Sequence, residues 1–159
     1  MKTNTISDAA SYLTFKLGTS FYAIPVLKVL NIVEMSRVTS VHDNNFIIGT
    51  INLRGTKVPV IDARAKFGLT REDYTDKSCV VIVEIFDLSE KLVVGIIIDS
   101  LHEVKEIKKN DLETEMNMSQ YPISSVFRKD KYISVNIIDQ DNMFDEGEIT
   151  NLNFYIKDK

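Results

Sequence analysis

The sequence has few of the residues from which most chemical sites are built. Its 159 residues include one cysteine and two histidines, so it predicts neither an internal disulfide nor a zinc site with the usual ligand spacing. His102 and Glu103 are neighbours in a predicted strand and should point to opposite faces, which argues against a joint site. The chain contains no phosphate-binding loop, nucleophile elbow or dinucleotide fingerprint.

Carboxylates offer the remaining route to catalysis. Asp62 and Asp99 each follow an apolar, strand-like segment, and two such carboxylates would suit acid–base chemistry if the fold brought them together. Caps at the turns that end these strands are the better interpretation. We therefore expect no enzyme activity, no catalytic residue, no metal and no cofactor.

Positive charge and long apolar runs are scarce as well. Lys and Arg number 19 against 23 Asp and Glu, a net charge of −4 with a pI near 5.2, so no dominant basic field is available to hold nucleic acid. Apolar runs long enough to span a membrane are absent, so no membrane insertion is expected. Residues 1–11 lack the apolar run of a signal peptide. With Cys79 as the single cysteine, a reducing compartment is favoured, and we expect the cytoplasm.

What the chain does contain is a series of short β-branched segments separated by turn residues. The pattern predicts about nine or ten strands with a few single-turn helices, although periodicity leaves 26–33 open between helix and strand. One barrel of that many strands would be too wide for these side chains to fill, so we expect two small barrels that share an apolar seam. The predicted core consists of Leu13, Phe15, Ile24, Ile51, Val60, Val81, Val83, Ile96, Ile98 and Ile137.

The strongest local pattern lies between residues 45 and 68. Two apolar runs, Ile47–Leu53 and 57–61, flank the polar turn Arg54-Gly55-Thr56, which predicts a β-hairpin with Arg54 at its tip. Pro59 cannot donate a ladder hydrogen bond, so its strand should lie at a sheet edge or begin at a bulge.

A short helix should follow the hairpin. Asp62 is suited to cap the N-terminus of a helix over residues 63–67, and Gly68 is suited to end it. The polar stretch 68–78 comes next, and we expect the chain to pass there from one subdomain to the other.

Four ordered segments resemble the signature of CheW-like domains, the coupling modules of bacterial chemotaxis. They read YLTFKLG at 12–18, YAIPV at 22–26, GTINLRG followed by VPVID and Arg64 at 49–64, and VGIIIDS at 94–100. The resemblance implies an all-β fold with a few short helices, built as two SH3-like five-stranded β-barrels packed side by side. It also favours a strand over 26–33. It covers most of the chain, which divides into a tail (1–11), the domain (12–145) and a C-terminal extension (146–159).

The resemblance implies a noncatalytic adaptor in signal transduction. Its partners would be the cytoplasmic tips of methyl-accepting chemoreceptors and the regulatory domain of the histidine kinase CheA, with self- or kinase-mediated ring assembly. Such a protein would be cytoplasmic and recruited to membrane-associated receptor arrays. The alternatives are an adaptor of an auxiliary or non-chemotaxis array, and a small nucleic-acid-binding β-barrel. The acidic pI argues against the last of these.

The resemblance also implies receptor-binding residues. Arg54 matches an arginine that supports receptor coupling, and its planar guanidinium can bind a carboxylate bidentately. Val29, Val80 and Val104 match positions that line the receptor-facing groove, and Asn31 stands where the family commonly has an acid. From composition alone, Arg54 is a solvated surface charge and the valines are ordinary core, so both interpretations stay open. No motif assigns the kinase-binding residues.

Overall fold

The structure is a computed structural model that describes residues 9–41, 46–87, 90–113, 123–128 and 134–157. Most of the chain within these ranges is extended. The strands are β1 (Ala9–Leu17), β2 (Ser20–Pro25), β3 (Val29–Glu34), β4 (Thr39–Ser40), β5 (Ile47–Leu53), β6 (Thr56–Asp62), β7 (Cys79–Asp87), β8 (Glu90–Ile98), β9 (Ser100–Lys108), β10 (Leu112–Glu113), β11 (Ile123–Arg128) and β12 (Ser134–Ile138). The α-helices are α1 (Ala63–Lys66) and α2 (Glu146–Lys157), and 3-10 turns form at Val26–Lys28, Met35–Arg37, Lys109–Asp111 and Gln140–Asn142.

Strands β3 to β8 form one sheet in the order β3-β7-β8-β6-β5-β4. Its outer strands, β3 and β4, are consecutive in the chain and joined by the 3-10 turn Met35–Arg37, so the sheet curls into a barrel. If β3 and β4 are taken together as one bent strand, the six strands of this sheet become five. We name it the continuous barrel, because one uninterrupted stretch of sequence supplies it.

The other sheet repeats this arrangement in the order β10-β11-β12-β2-β1-β9. Here the outer strands β9 and β10 are joined by the 3-10 turn Lys109–Asp111, which again makes one bent strand. We name it the discontinuous barrel, because its strands come from the two ends of the domain. The predicted all-β fold with two barrel-like halves is confirmed.

Among the described residues, strands of the two barrels follow one another along the chain at two places. The first is the 3-10 turn Val26–Lys28 between β2 and β3, so the ambiguous stretch 26–33 is a turn followed by a strand. The second is Asp99, the single residue between β8 and β9. The passage expected at 68–78 is wrong, because that segment joins β6 to β7 within one sheet. Its polar composition reflects an exposed excursion instead.

The largest apolar cluster lies between the barrels and is named here the seam core. It includes Phe15 and Ile24 from the discontinuous barrel and Val81 and Ile96 from the continuous barrel. Two smaller clusters fill the barrel interiors: Val33, Ile51, Val58, Val60, Val80, Ile82 and Ile97 in the continuous barrel, and Ala23, Ile107, Val135 and Ile137 in the discontinuous barrel. All ten residues of the predicted core are buried.

The predicted hairpin is formed by β5 and β6, which pair from Ile47 to Leu53. The edge position expected for Pro59 is wrong, because β6 lies between β5 and β8. Pro59 pairs with Thr50 on one side, and on the other side pairing with β8 begins only at Val60. Pro59 therefore has a pairing partner on one neighbouring strand only, which explains how an interior strand accommodates a residue without a backbone N–H.

Helix α1 begins as predicted, since the Asp62 carboxylate accepts a hydrogen bond from the Arg64 N–H at 2.9 Å. Gly68 follows with a φ of 76°, a left-handed conformation that suits glycine after a helix.

Helix α2 extends from the discontinuous barrel across to the continuous barrel. Its N-terminus carries a capping box in which the Glu148 N–H donates to Asp145 and the Asp145 N–H donates to Glu148. Leu152 enters the seam core, and the helix packs against β6. The Lys66 Nζ lies 2.7 Å from Glu148 Oε1. The helix therefore fastens one barrel to the other.

Candidate functional site

Arg54 occupies a constrained turn at the tip of the β5–β6 hairpin. Its φ is 53° and that of Gly55 is 83°, and Leu53 pairs with Thr56 on either side of them. Positive φ values at both central residues identify a two-residue type I′ turn, which usually carries Asn-Gly. A left-handed arginine costs backbone energy, and the Gly55 N–H donates to Asn52 Oδ1 at 2.8 Å to hold the turn. The exposed Arg54 is thus presented by a rigid hairpin.

Arg54 and Asn31 share one surface hollow. The hollow has a volume of about 410 Å³ and is lined by Leu30, Asn31, Leu53, Arg54, Thr56, Val58 and Val93. The Asn31 Oδ1 accepts a hydrogen bond from the Ile32 N–H at 2.8 Å, which fixes the orientation of the amide. The structure therefore brings together these two predicted residues, a cation and an amide above an apolar floor.

Val29 lies at the margin of the seam core on the continuous barrel. It pairs with Val83, a seam-core residue, and Ile32 on the same strand pairs with Val81, another. Residues paired across neighbouring strands project from the same face of a sheet. Val29 and Ile32 therefore project from the seam face of this barrel, with Ile32 40% exposed.

Val104 occupies the matching margin of the discontinuous barrel. It pairs with Leu13, and Leu101 pairs with Phe15, and both partners belong to the seam core. Val104 is 63% exposed and Leu101 is 43% exposed. Two apolar side chains thus extend the seam core to the surface on this side as well.

A groove of about 550 Å³ joins the two margins. It is lined by Ile32, Val33, Glu34, Met35, Thr75, Asp76, Lys77, Ser78, Cys79, Ser100 and Leu101. Ile32 and Leu101 come from different barrels, so the groove lies over the seam. Sequence reasoning missed both residues, because neither stands out from the apolar pattern around it.

Val80 does not belong to this surface. Its exposed fraction is 0%, and it packs in the interior of the continuous barrel with its pairing partner Val33. The expectation that Val80 lines a receptor-facing groove is wrong, because a fully buried side chain has no surface to offer a partner. The alternative interpretation as ordinary core holds for this valine.

The expectation that His102 and Glu103 point to opposite faces is also wrong. Strand β1 pairs Thr14 with Glu103 but Phe15 with Leu101, so His102 is an extra residue in a β-bulge. The bulge brings its Nε2 to 3.7 Å from Glu103 Oε2. The same bulge places both Leu101 and Val104 on the seam face.

The two carboxylates considered for acid–base chemistry are occupied by hydrogen-bond donors. Asp62 is buried and accepts hydrogen bonds from the Arg64 N–H and the Tyr74 hydroxyl. Burial, the hydrogen bond to Asp62 and its charge together raise the pKa of Tyr74 to about 12, against a smaller lowering by Arg71. Asp99 is bound by Arg64 and by the Gly18 N–H. Both carboxylates therefore serve structural contacts.

Comparison with known proteins identifies the family. A family model described as a CheW-like domain matches residues 11–148, most of the chain. The chain belongs to the CheW-like domain family. The resemblance drawn from four short segments of the sequence is confirmed.

Individual relatives agree with the family assignment. The chain is 34% identical to the chemotaxis protein CheW of Helicobacter pylori over 107 residues, which cover 67% of this chain and 62% of that protein. It is 42% identical to the CheW of Klebsiella aerogenes over 94 residues, or 58% of this chain and 54% of that one. The matches thus span between half and two thirds of these two relatives. With the CheW of Bacillus subtilis the identity is 28% over 146 residues, or 89% and 90% of the two chains.

A solved structure has the same fold. The chain superposes on the scaffolding protein TtCheW from Thermoanaerobacter tengcongensis with a TM-score of 0.74 and 28% sequence identity, covering 86% of this chain and 92% of that one.

None of the helices in the described ranges has the length and apolar character needed to cross a bilayer.

Proposed function

We propose that the protein is a noncatalytic adaptor that couples chemoreceptor cytoplasmic tips to the histidine kinase CheA in bacterial chemotaxis. The observation that carries the proposal is the match to the CheW-like domain over residues 11–148, together with relatives named for chemotaxis and a structural neighbour described as a scaffolding protein. The adaptor would be recruited to membrane-associated receptor arrays. It would transmit the receptor state by holding both partners in a fixed geometry.

The groove over the seam is the proposed receptor site. Receptor tips are long helical hairpins, so their recognition should follow the helix-in-groove mode, with anchors at i, i+3, i+4 and i+7. Ile32 and Leu101 line the groove, and Val29 and Val104 flank them on β3 and β9. These four apolar side chains would supply most of the affinity, within a groove that polar residues also line.

Arg54 and Asn31 would orient the bound helix. Their hollow has no lining residue in common with the groove, but both lie along β3, to which Asn31 and Ile32 belong. A rim charge contributes mainly to orientation and association rate. Single receptor contacts should be weak, with dissociation constants of about 1 μM or higher, and many linked contacts in an array would raise the avidity.

Kinase binding should use a different surface. The regulatory domain of CheA is itself CheW-like, so barrel-to-barrel contacts between the two proteins would be pseudo-symmetric and would extend into rings. Separate surfaces would let one adaptor hold both partners at once.

Charge reversal at the hairpin tip tests this function. Arg54→Glu should leave the fold intact, because the side chain is exposed. It should lower receptor-dependent kinase activation by about tenfold, the effect of losing roughly 1.4 kcal/mol at one contact. Kinase assays reconstituted from receptor, CheA and adaptor measure this directly.

Lys108→Glu is the matched control for Arg54→Glu. Lys108 is an exposed cation on β9 of the other barrel, so its reversal produces the same change in net charge away from the hairpin. It should leave activation at the parent level. Unchanged activation by Arg54→Glu, or equal losses in the two variants, would refute the role of Arg54.

A further inference from the structure

A single carboxylate receives hydrogen bonds from both barrels at the point where the chain crosses between them. Asp99 is the one residue between β8 of the continuous barrel and β9 of the discontinuous barrel. Its backbone N–H donates to the Lys16 carbonyl at 3.2 Å. Asp99 therefore forms a one-residue connection between the two barrels, and its side chain lies at that connection.

The continuous barrel supplies a two-pronged contact to Asp99. Arg64 lies in α1, directly after β6. Its Nε donates to Oδ1 at 3.0 Å and its Nη2 donates to Oδ2 at 2.6 Å. Its Nη1 donates to the Thr70 carbonyl at 2.8 Å, so the guanidinium is held on both sides. A planar fork of this kind fixes direction as well as distance.

The discontinuous barrel supplies the remaining donor. The Gly18 N–H, in the turn between β1 and β2, donates to Asp99 Oδ2 at 2.7 Å. That oxygen is thus shared between a turn of one barrel and a helix of the other. A change in the angle between the barrels would have to lengthen at least one of these hydrogen bonds.

The seam core and this polar junction contribute different properties. Burial of apolar side chains stabilises the packed barrels strongly, but it is non-directional. Hydrogen bonds lose strength steeply when their angles change. The Arg64 side chain is 13% exposed and that of Asp99 is 31% exposed, so solvent screens the pair less than it screens a fully exposed pair. The junction is therefore suited to select one angle among those that the seam core tolerates.

We propose that Arg64 and Asp99 are positioning residues that hold the two barrels at one fixed angle and thereby fix the separation of the receptor-binding and kinase-binding surfaces. This inference rests on the coupling function proposed above. Neither residue needs to contact a partner. Loss of the pair should leave each partner's binding intact while the transmission of the receptor state to the kinase declines.

A distance measurement tests the angle without any partner. Spin labels are placed on Ser40→Cys in β4 and Lys108→Cys in β9, both exposed, in a Cys79→Ala background. Pulsed electron–electron double resonance then gives the distribution of distances between the two spin labels, one on each barrel. The parent should give a narrow distribution, Arg64→Gln and Asp99→Asn a broader or shifted one, and Arg64→Lys an intermediate one, because lysine keeps the charge but not the fork.

The control variant is Lys91→Gln. It removes an exposed cation whose Nζ lies 3.7 Å from Glu84 within the β7–β8 pair of one barrel, and it should match the parent. Distributions for Arg64→Gln and Asp99→Asn that match Lys91→Gln would overturn the proposal. If Arg64→Gln fails to fold, as judged by circular dichroism, Asp99→Asn and Arg64→Lys decide the question.

The second readout is coupling. Titration of each partner alone against Asp99→Asn should give parent affinities, while receptor-dependent kinase activation should fall several-fold. Full activation despite a broadened distribution would overturn the positioning role. If the parent itself gave no activation, the proposed function would fail, and the distance distributions would still decide whether the pair fixes the angle.

Discussion

The two barrels share a topology but differ in how the sequence builds and fills them. Among the described residues, the interior of the continuous barrel contains seven buried apolar side chains and that of the discontinuous barrel contains four. A hollow of about 220 Å³, lined in part by Phe21, Phe127 and Val135, opens beside the smaller interior. Among the described residues, the discontinuous barrel therefore has the smaller apolar interior.

Corresponding positions show the same difference. The parallel pairing of β6 with β8 sets Val60 opposite Gly95, and that of β12 with β2 sets Ile137 opposite Ala23. A Cβ on Gly95 would lie 2.8 Å from Val80 Cγ1, whereas Ala23 carries one within its barrel. The continuous barrel has no room for a methyl group where the discontinuous barrel accommodates one.

Truncation of one interior isoleucine in each barrel should show the largest difference in stability between the two barrel interiors. Ile82→Ala removes a fully buried side chain from the continuous barrel and should lower the free energy of unfolding by about 4 kcal/mol. Ile107→Ala in the discontinuous barrel should cost about 2 kcal/mol, because fewer neighbours lose contacts and the site can relax more. Urea denaturation measures both values. A cost for Ile107→Ala equal to or above that for Ile82→Ala would show that the two interiors are equally well packed.

A methyl group added to a barrel interior should have the next largest effect. Gly95→Ala forces a Cβ against Val80 and Val60 and should destabilise the protein by about 1–3 kcal/mol. Gly147→Ala is the control, since its Cβ would meet only Asp145 Oδ1, at 3.5 Å. In helix α2 that alanine should stabilise by about 0.5–1 kcal/mol. Thermal unfolding of both variants checks the opposite signs, and stabilisation by Gly95→Ala would disprove tight packing of the continuous barrel.

Acidification should weaken the contact between the barrels by the smallest amount. Burial of the Asp99 carboxyl disfavours its ionisation, but hydrogen bonds from Arg64 and the Gly18 N–H, with the charges of Arg64 and Lys16, outweigh burial and lower its pKa. A lowered folded-state pKa adds stability above the ordinary aspartate pKa, and that stability is lost as the pH falls through the folded-state value.

The variant Asp99→Asn isolates this contribution to stability. Its free energy of unfolding should be lower than that of the parent at neutral pH, and this difference should shrink below about pH 4. Urea titrations across this range measure the difference. A difference that stays constant down to about pH 2 would assign the effect of the variant to packing instead of charge.

The sequence predicts best those features that local residues determine. The β5–β6 hairpin follows from turn chemistry and flanking apolar runs, and the cap of α1 follows from Asp62 alone. Which of the two faces of β7 Val80 and Val81 project from could not be predicted in this way. Strand β7 is buried on both faces, so its apolar run has no alternation, and only pairing with β3 and β8 places Val80 in the barrel interior and Val81 in the seam core.

The groove was harder to predict because it depends on irregular pairing between distant segments. The bulge at His102 shifts the alternation of β9, so counting by twos from Val104 does not reach Leu101. A similar shift between Val29 and Asn31 on β3 means that counting by twos from Val29 does not reach Ile32. Composition gives no signal for such bulges, whereas the register of the folded sheets makes them plain.

The receptor groove is tested most directly by one charge placed on each of its margins. Val104→Lys introduces a cation on the discontinuous barrel and Ile32→Lys introduces one on the continuous barrel, both at partly exposed positions. A receptor cytoplasmic tip and the CheA regulatory domain are titrated separately against each folded variant by isothermal calorimetry. If the groove binds the receptor, both variants should weaken receptor binding and both should keep the parent affinity for CheA. Equal loss of both interactions, loss of neither, or loss of receptor binding in only one variant would contradict a receptor groove formed by the two barrels together.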